Sequence, residues 1–562
     1  ALPATDVSGR AHLLFDRATL LDATGQRSLS ASLLDEARGL ALQAGNTLLA
    51  VAAEVNLARV ALGERRVDDA KRHLDAAREL RKGAGLVDTS PGIVLIRAAL
   101  ARLQGDFVAA EAALDEMAAG NSSPEISWII AHQRGQIAEA RGAPELARRR
   151  YGESIAVIEE MRRTAAPEEV RAAFLEDRWE PYADLFALDL EHDRLGLALD
   201  TVTRAQGRMF LDTFTVTAAG HQPAASSPLA GAERRLKALA DLGLALSTTP
   251  IGRPSTTAAT LAALNGRHVL IYFAARERMQ LLVASDGQIR AGHVGIPLAA
   301  LDQLIDDFLA RPDDDAAALA LGRAVIPLEA LPKNRGRLYI VPTGPMMRVP
   351  FAAVRVDGGR LIDRYEIVYA PSVTALAAAP AGPSEPWGES IVLADSRRNL
   401  SHAAAELRAV VTATRATPRV GENATIAALR AAGNASVLHI IGHSGVTGEG
   451  GYLVLADGHV TAADIVSWRL RPRLVVIPTC ASAATFRGEM WDSLATAFLA
   501  SGSQHVVATQ RSVEDAVAAD FTALFYRYGG IDDPAGAAAR AQRALARTHP
   551  VAAWSAFVTT GL

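Results

Sequence analysis

From residue 1 to about 215, apolar residues recur every three or four positions and β-branched runs are few. That spacing predicts helix after helix. The pattern loosens over 216–258, where Ala218–Pro228 and Ser247–Thr257 have the composition of turns and linkers, with one short amphipathic helix between them at Glu233–Leu246. After Arg267 the period changes. Short aliphatic runs appear at His268–Phe273, Gln280–Val283, Leu338–Val341, Ile367–Ala370, Ser390–Leu393, Val437–Ile441, Leu474–Ile477 and His505–Ala508. Helical patterns separate the later runs, at Ala403–Thr414, Thr425–Ala432, Trp491–Ala500 and Asp515–Tyr526. Strands alternating with helices imply crossover connections and a largely parallel sheet covered on both faces. The chain therefore reads as α plus α/β multidomain: a helical domain over 1–215, a linker over 216–258 and an α/β domain over 259–562.

The helical part repeats. Gly25, Ser30, Leu34 and Ala37 form one set. Arg65, Ala70, Leu74 and Ala77 form the next, followed by Gly105, Ala110, Leu114 and Met117, then Gly142, Ala147, Tyr151 and Ser154. The offsets within the sets are identical, and Ala198, Val202 and Ala205 make a weaker fifth copy. A turn residue, a small residue, a large one and another small or apolar one describe a helical hairpin whose second helix packs closely on its first. Stacked hairpins give an α-solenoid. The spacing resembles lengthened tetratricopeptide (TPR) repeats, which implies a surface for a protein or peptide partner.

Composition narrows the function. The 58 basic and 62 acidic residues leave a net charge of −4, without the basic excess of a dedicated nucleic-acid binder. No run of about 18 apolar residues suggests a membrane span. One cysteine excludes an internal disulfide or a cysteine-based zinc cluster, and no cofactor or metal motif is found. A free thiol and the absence of a leader pattern at Ala1–Asp6 fit a cytoplasmic protein.

That single cysteine carries the chemistry. Leu474-Val-Val-Ile-Pro-Thr-Cys480 reads as a buried strand ending at a thiol, and Val437-Leu-His-Ile-Ile-Gly-His443 as one ending at an imidazole. If the two strands are parallel neighbours, both groups reach one rim of the sheet, where open α/β sheets hold their sites. An imidazole there favours the thiolate. Gly442 and Gly445 are expected to turn the chain tightly beside His443 and to free N–H groups, which with that of Cys480 would hold an oxyanion. A buried cysteine is otherwise an inert small hydrophobe. His439 reads as a histidine of the core or one supporting the site from behind, more often structural than catalytic. Ser444 and Ser482 lack the context of a nucleophilic serine.

His439-Ile-Ile-Gly-His443-Ser-Gly445, Gly451-Tyr-Leu-Val-Leu-Ala-Asp-Gly458, the strand ending at Cys480, Leu494–Gly502 and Val506–Thr509 together resemble a CHAT domain, a caspase-like fold related to separase. Tyr339–Phe351, Tyr369–Ser372 and Trp554–Val558 extend the resemblance over roughly 267–562. It implies a cysteine endopeptidase with His443 as general base or acid, Cys480 as nucleophile, and the amides of Ser444 or Gly445 in the oxyanion hole. It also implies an acidic P1 pocket at Ser512-Val-Glu-Asp515, which makes Asp515 the candidate for a basic P1 side chain. The competing reading of Asp515 is a helix cap. Where relatives carry Leu-Trp this chain has Gln510-Arg511, and Arg511 beside Asp515 would oppose a basic substrate. The expected whole is a TPR-CHAT protease acting on protein substrates, controlled by a regulatory partner on its solenoid and acting in a setting such as bacterial defence. The alternative is a catalytically silent scaffold.

Overall fold

The computed structural model describes residues 6–23, 26–86, 90–120, 123–164, 178–214, 256–377, 387–447, 450–484 and 493–561. Most of the expected linker, with the helix Glu233–Leu246, lies outside them, as do Gly25 of the first repeat and Trp491. The chain divides into two compact units, Ala1–Thr164 and Ala165–Leu562.

The first unit holds helices α1 (Val7–Ala23), α2 (Arg27–Gln43), α3 (Thr47–Gly63), α4 (Val67–Gly83), α5 (Pro91–Leu103), α6 (Phe107–Gly120), α7 (Pro124–Ala140) and α8 (Pro144–Thr164). They pack as hairpins, α1 on α2, α3 on α4, α5 on α6 and α7 on α8. The repeat positions explain why. Arg65, Gly105 and Gly142 lie in the turns with φ of +56°, +78° and +71°, the left-handed geometry that ends one helix and starts the next. The small and large residues that follow are buried on α2, α4, α6 and α8. Two serines tighten the contact, Ser30 Oγ donating to Ala18 O at 2.7 Å and Ser154 Oγ to Trp128 O at 2.8 Å.

The second unit opens with α9 (Glu180–Glu191) and α10 (Leu195–Phe214). Ala198, Val202 and Ala205 of the fifth copy are buried on α10, and Asp193 in the turn before them has φ +55°. The strands are β1 (Val269–Ala275), β2 (Arg278–Ser285), β3 (Gln288–Pro297), β4 (Gly336–Val341), β5 (Arg355–Val356), β6 (Gly359–Arg360), β7 (Tyr365–Tyr369), β8 (Ile391–Ala394), β9 (Arg419–Val420), β10 (Val437–Ile441), β11 (His443–Thr447), β12 (Gly450–Leu455), β13 (Gly458–Thr461), β14 (Leu474–Val476), β15 (His505–Thr509) and β16 (Phe557–Gly561).

Eleven strands form one sheet in the order β3-β2-β1-β4-β7-β16-β15-β14-β10-β8-β9. β9, β8, β10, β14 and β15 are mutually parallel along that row. Both faces of this block are covered. Val437, Leu474, Val476 and Val507 enter one core, with Phe521 and Phe525 of the helix Asp515–Arg527. Leu438, Ile440, Val475, Ile477 and Val506 enter the other, with Phe498 of the helix Leu494–Ser501. Burial on both faces is why these strands read as unbroken apolar runs.

The compact division at Thr164/Ala165 lies upstream of the boundary expected at 215/216. The reason is packing on β1. The Trp179 and Phe186 rings lie 4.6 and 4.7 Å from that of Phe273. Trp179 Nε1 donates to Ala274 O at 3.1 Å. Arg276, in the two-residue turn between β1 and β2, pairs with Asp184 at 3.2 Å and Glu191 at 2.9 Å. Arg276 and Glu277 there have φ of +49° and +60°, a geometry that usually takes Asn-Gly.

Candidate active site

β10 and β14 are parallel neighbours, with Val437 opposite Leu474 and His439 opposite Val476. Because β8, β10, β14 and β15 share one direction, the chain leaves all four on the same rim. His443 follows β10 there, and Cys480 follows β14. Both are half-buried.

The segment at His443 differs from the glycine turn expected. His443–Thr447 is strand β11, antiparallel to β12, with His443 opposite Val454 and Gly445 opposite Tyr452. Neither Gly442 nor Gly445 is among the left-handed residues of the described chain. Gly445 instead sits close under the Tyr452 ring, where a Cβ would stand 2.8 Å from the hydroxyl. The left-handed residue of the site is Ala481, at φ +55°. It swings the chain back immediately after the thiol.

That turn is tied down on the β15 side. Ala481 N–H donates to Arg511 O at 3.3 Å and Ala483 N–H to Thr509 O at 2.8 Å. Ser482 is buried, its hydroxyl donating to Ile477 O at 2.7 Å and accepting from Thr509 N–H at 3.0 Å, which leaves it no nucleophilic role. Ser444 ties the two strand ends together. Its Oγ donates to Cys480 O at 2.6 Å and meets Thr479 Oγ1 at 2.6 Å. The Cys480 N–H donates to no group among the described residues. The amides of Ser444 and Gly445 belong to the strand paired with β12.

Thiol and imidazole face different partners. Cys480 Sγ–H points at Val513 O, 3.8 Å away. His443 Nε2 bonds Asn399 Oδ1 at 2.8 Å. Among the described residues no hydrogen bond joins Sγ to the imidazole. The loop after β8 that supplies Asn399 was not anticipated from the sequence. Its signal was there, an aliphatic strand ending in Ala394-Asp-Ser-Arg-Arg-Asn399, but nothing local says which strand it adjoins.

Asp515 is the first residue of the helix Asp515–Arg527, and the residue at the cap position is Glu514, whose side chain makes no capping bond. The Asp515 carboxylate instead accepts from the His402 backbone N–H at 2.6 Å and meets His402 Nδ1 at 3.3 Å. Arg511 does not pair with it. Its guanidinium donates to Ala552 O at 3.2 Å and Ser555 Oγ at 2.8 Å. Burial pulls the Arg511 pKa below the usual guanidinium range, and Tyr369 opposes that shift.

His439, on β10 four residues before His443, is fully buried in a network. Nδ1 meets Tyr526 Oη at 2.9 Å, Nε2 meets Glu406 Oε1 at 3.1 Å, and Thr522 Oγ1 donates to the same Oε1 at 2.8 Å. Burial, with Glu406 nearby, holds the Tyr526 phenol well above its usual range. This is a structural role, as the sequence indicated.

Residues 315–562 match the family model of the CHAT domain. The chain carries a CHAT domain. The match begins at the helix Asp315–Val325, downstream of β1–β3. No curated protein matches the chain. Among solved structures, the CHAT-containing chain is similar to two crystal structures of the Saccharomyces cerevisiae separase–securin complex, at 2.6 and 3.0 Å resolution. Identity is 9% in both, 99% of this chain and 53% of the other are covered, and the TM-scores are 0.43 and 0.40. The chain thus spans about half the length of those relatives. Among the described residues no helix is long and apolar enough to cross a membrane.

Proposed function

We propose that the CHAT domain is a cysteine endopeptidase in which Cys480 attacks a peptide carbonyl and His443 moves the proton. The observation that carries this reading is the parallel pairing of β10 with β14, which brings a lone thiol and an imidazole to one rim. The Cys480 N–H, which donates to no group among the described residues, supports it. In the reaction His443 takes the thiol proton, the thiolate adds to the carbonyl carbon, and the oxyanion forms beside the Cys480 amide. The imidazolium then returns its proton to the leaving amine. The amides of Ser444 or Gly445 complete the oxyanion hole once β11 shifts. Asp515 receives a basic P1 side chain, which displaces His402. A protein partner on the helical repeats controls the transition.

One observation favours the silent scaffold: thiol and imidazole are each bonded elsewhere. The full chain incubated with a proteome-derived peptide mixture, followed by mapping of new termini, separates the two. An endopeptidase generates new termini that vanish in Cys480→Ala and His443→Ala. Termini that persist in Cys480→Ala, or none from the wild type with any partner present, leave the scaffold.

A further inference from the structure

The loop after β8 is built with more care than a connection requires. Asp395 N–H donates to Ile441 O at 2.7 Å, two residues before His443. Asp395 Oδ1 accepts from Asn399 N–H at 2.9 Å and Leu400 N–H at 3.3 Å. Ser396 Oγ donates to Val454 O at 2.9 Å, and Val454 is the residue opposite His443 across β11 and β12. Asp395 and Arg398 take φ of +45° and +54°, a strained geometry for residues with side chains. The loop is thereby stitched to the strand before His443 and to the strand beside it. The side chain it delivers is Asn399, whose Oδ1 lies 2.8 Å from His443 Nε2.

We propose that Asn399 is a positioning residue that fixes the His443 imidazole as its Nε2–H tautomer and reserves Nδ1 for the thiol proton. The chemistry is that of an amide oxygen, which accepts and cannot donate. It holds the proton on Nε2, so Nδ1 carries the lone pair. When Sγ–H breaks, Nδ1–H forms, giving thiolate and imidazolium, and the Nε2–H···Oδ1 bond strengthens as the ring becomes charged. Without Asn399 the ring is free to rotate and to hold its proton on the wrong nitrogen. Related triads orient their histidine in the same manner on unrelated folds. The proposal rests on the peptidase reading for its purpose, and the tautomer itself is measurable without activity.

Two measurements on the full chain test it. Nitrogen-15 correlation spectra of the histidine rings, with His443→Ala identifying the signal, are expected to show His443 as Nε2–H at pH 8. Asn399→Ala is expected to convert it to a mixture, and Asn399→Asp to restore the Nε2–H form and raise the imidazole pKa. A Nδ1–H tautomer in the wild type, or an Asn399→Ala spectrum unchanged from it, overturns the proposal. The second measurement uses Cys480 being the only cysteine, so iodoacetamide uptake by intact mass reports one site. The wild type is expected to react at pH 6 about tenfold faster than Asn399→Ala, with equal rates above pH 9 where any thiol ionises unaided. A loss at both ends of the profile marks a merely structural role and overturns the proposal. If wild type and His443→Ala share one profile while the tautomer still answers to Asn399, the positioning role stands and the peptidase reading is decided by the new-termini experiment alone.

Discussion

His505 shows how much a single side chain can set. It begins β15 with its Nδ1 buried and, among the described residues, without a hydrogen-bond partner. Burial first, then Arg337 and Arg473, pull its pKa down to about 4. The unfolded chain takes up this proton near pH 6.5, whereas the folded chain refuses it until about pH 4. Acid therefore favours unfolding across that window, by at most about 3 kcal/mol. Between pH 7.5 and 5 the urea midpoint of the wild type is expected to fall by more than that of His505→Gln, whatever their difference at 7.5. Parallel curves would show that another group drives the loss. The residues legible from sequence alone were the chemically rare ones at strand ends, Cys480 and His443. Asn399 and the His402 partner of Asp515 were not legible. Their contacts span 44 and 113 positions, and such pairs follow from strand order, which no local pattern encodes.

Elements follow the same division. The helical repeats were readable because each set records one hairpin contact. At α7 and α8 that contact has no slack, since a Cβ on Gly135 would lie 2.4 Å from Tyr151 Cδ1. The ring is fully buried and its hydroxyl donates to Glu139 Oε2 at 2.7 Å, so it cannot retreat. Gly135→Ala is expected to cost about 1–3 kcal/mol in chemical denaturation, and Tyr151→Leu in the same chain to recover part of it. In the α/β unit, Glu406→Ala would leave His439 Nε2 and the Thr522 hydroxyl buried without their acceptor, a loss of about 2–3 kcal/mol. Retained stability in that variant would mean water replaces the carboxylate. Among strands, β1, β2, β4, β7, β8, β10, β14 and β15 were found from their aliphatic runs, whereas β12 was not, despite Leu453, Val454 and Leu455. β11 and β13, rich in glycine and polar residues, were missed because their partners define them. β3 was missed despite a usable signal: Asp286-Gly287, with φ of +53° and +72°, is a strong short-range mark of a hairpin.

For the whole molecule, the boundary matters most. The change of period near 215 marks a change of secondary structure, and compactness changes earlier, at Thr164/Ala165. A fragment of residues 165–562 keeps α9 and α10 on β1. A fragment of 259–562 uncovers Phe273 and strips Arg276 of Asp184 and Glu191. The longer fragment is expected to unfold cooperatively as a monomer, and the shorter to bind a hydrophobic dye and lose stability. Equal behaviour would show that α9 and α10 are dispensable to the CHAT-bearing unit.

The strand order has one last consequence. A row of eleven strands ends in two places where a foreign chain could add itself by backbone pairing. β9 offers two residues there. β3 offers ten, but its register with β2 slips between Met279 and Leu281, and it ends in Pro297. Short, kinked or proline-ended margins are poor templates for aggregation, so even a sheet this wide offers a foreign strand little to pair with.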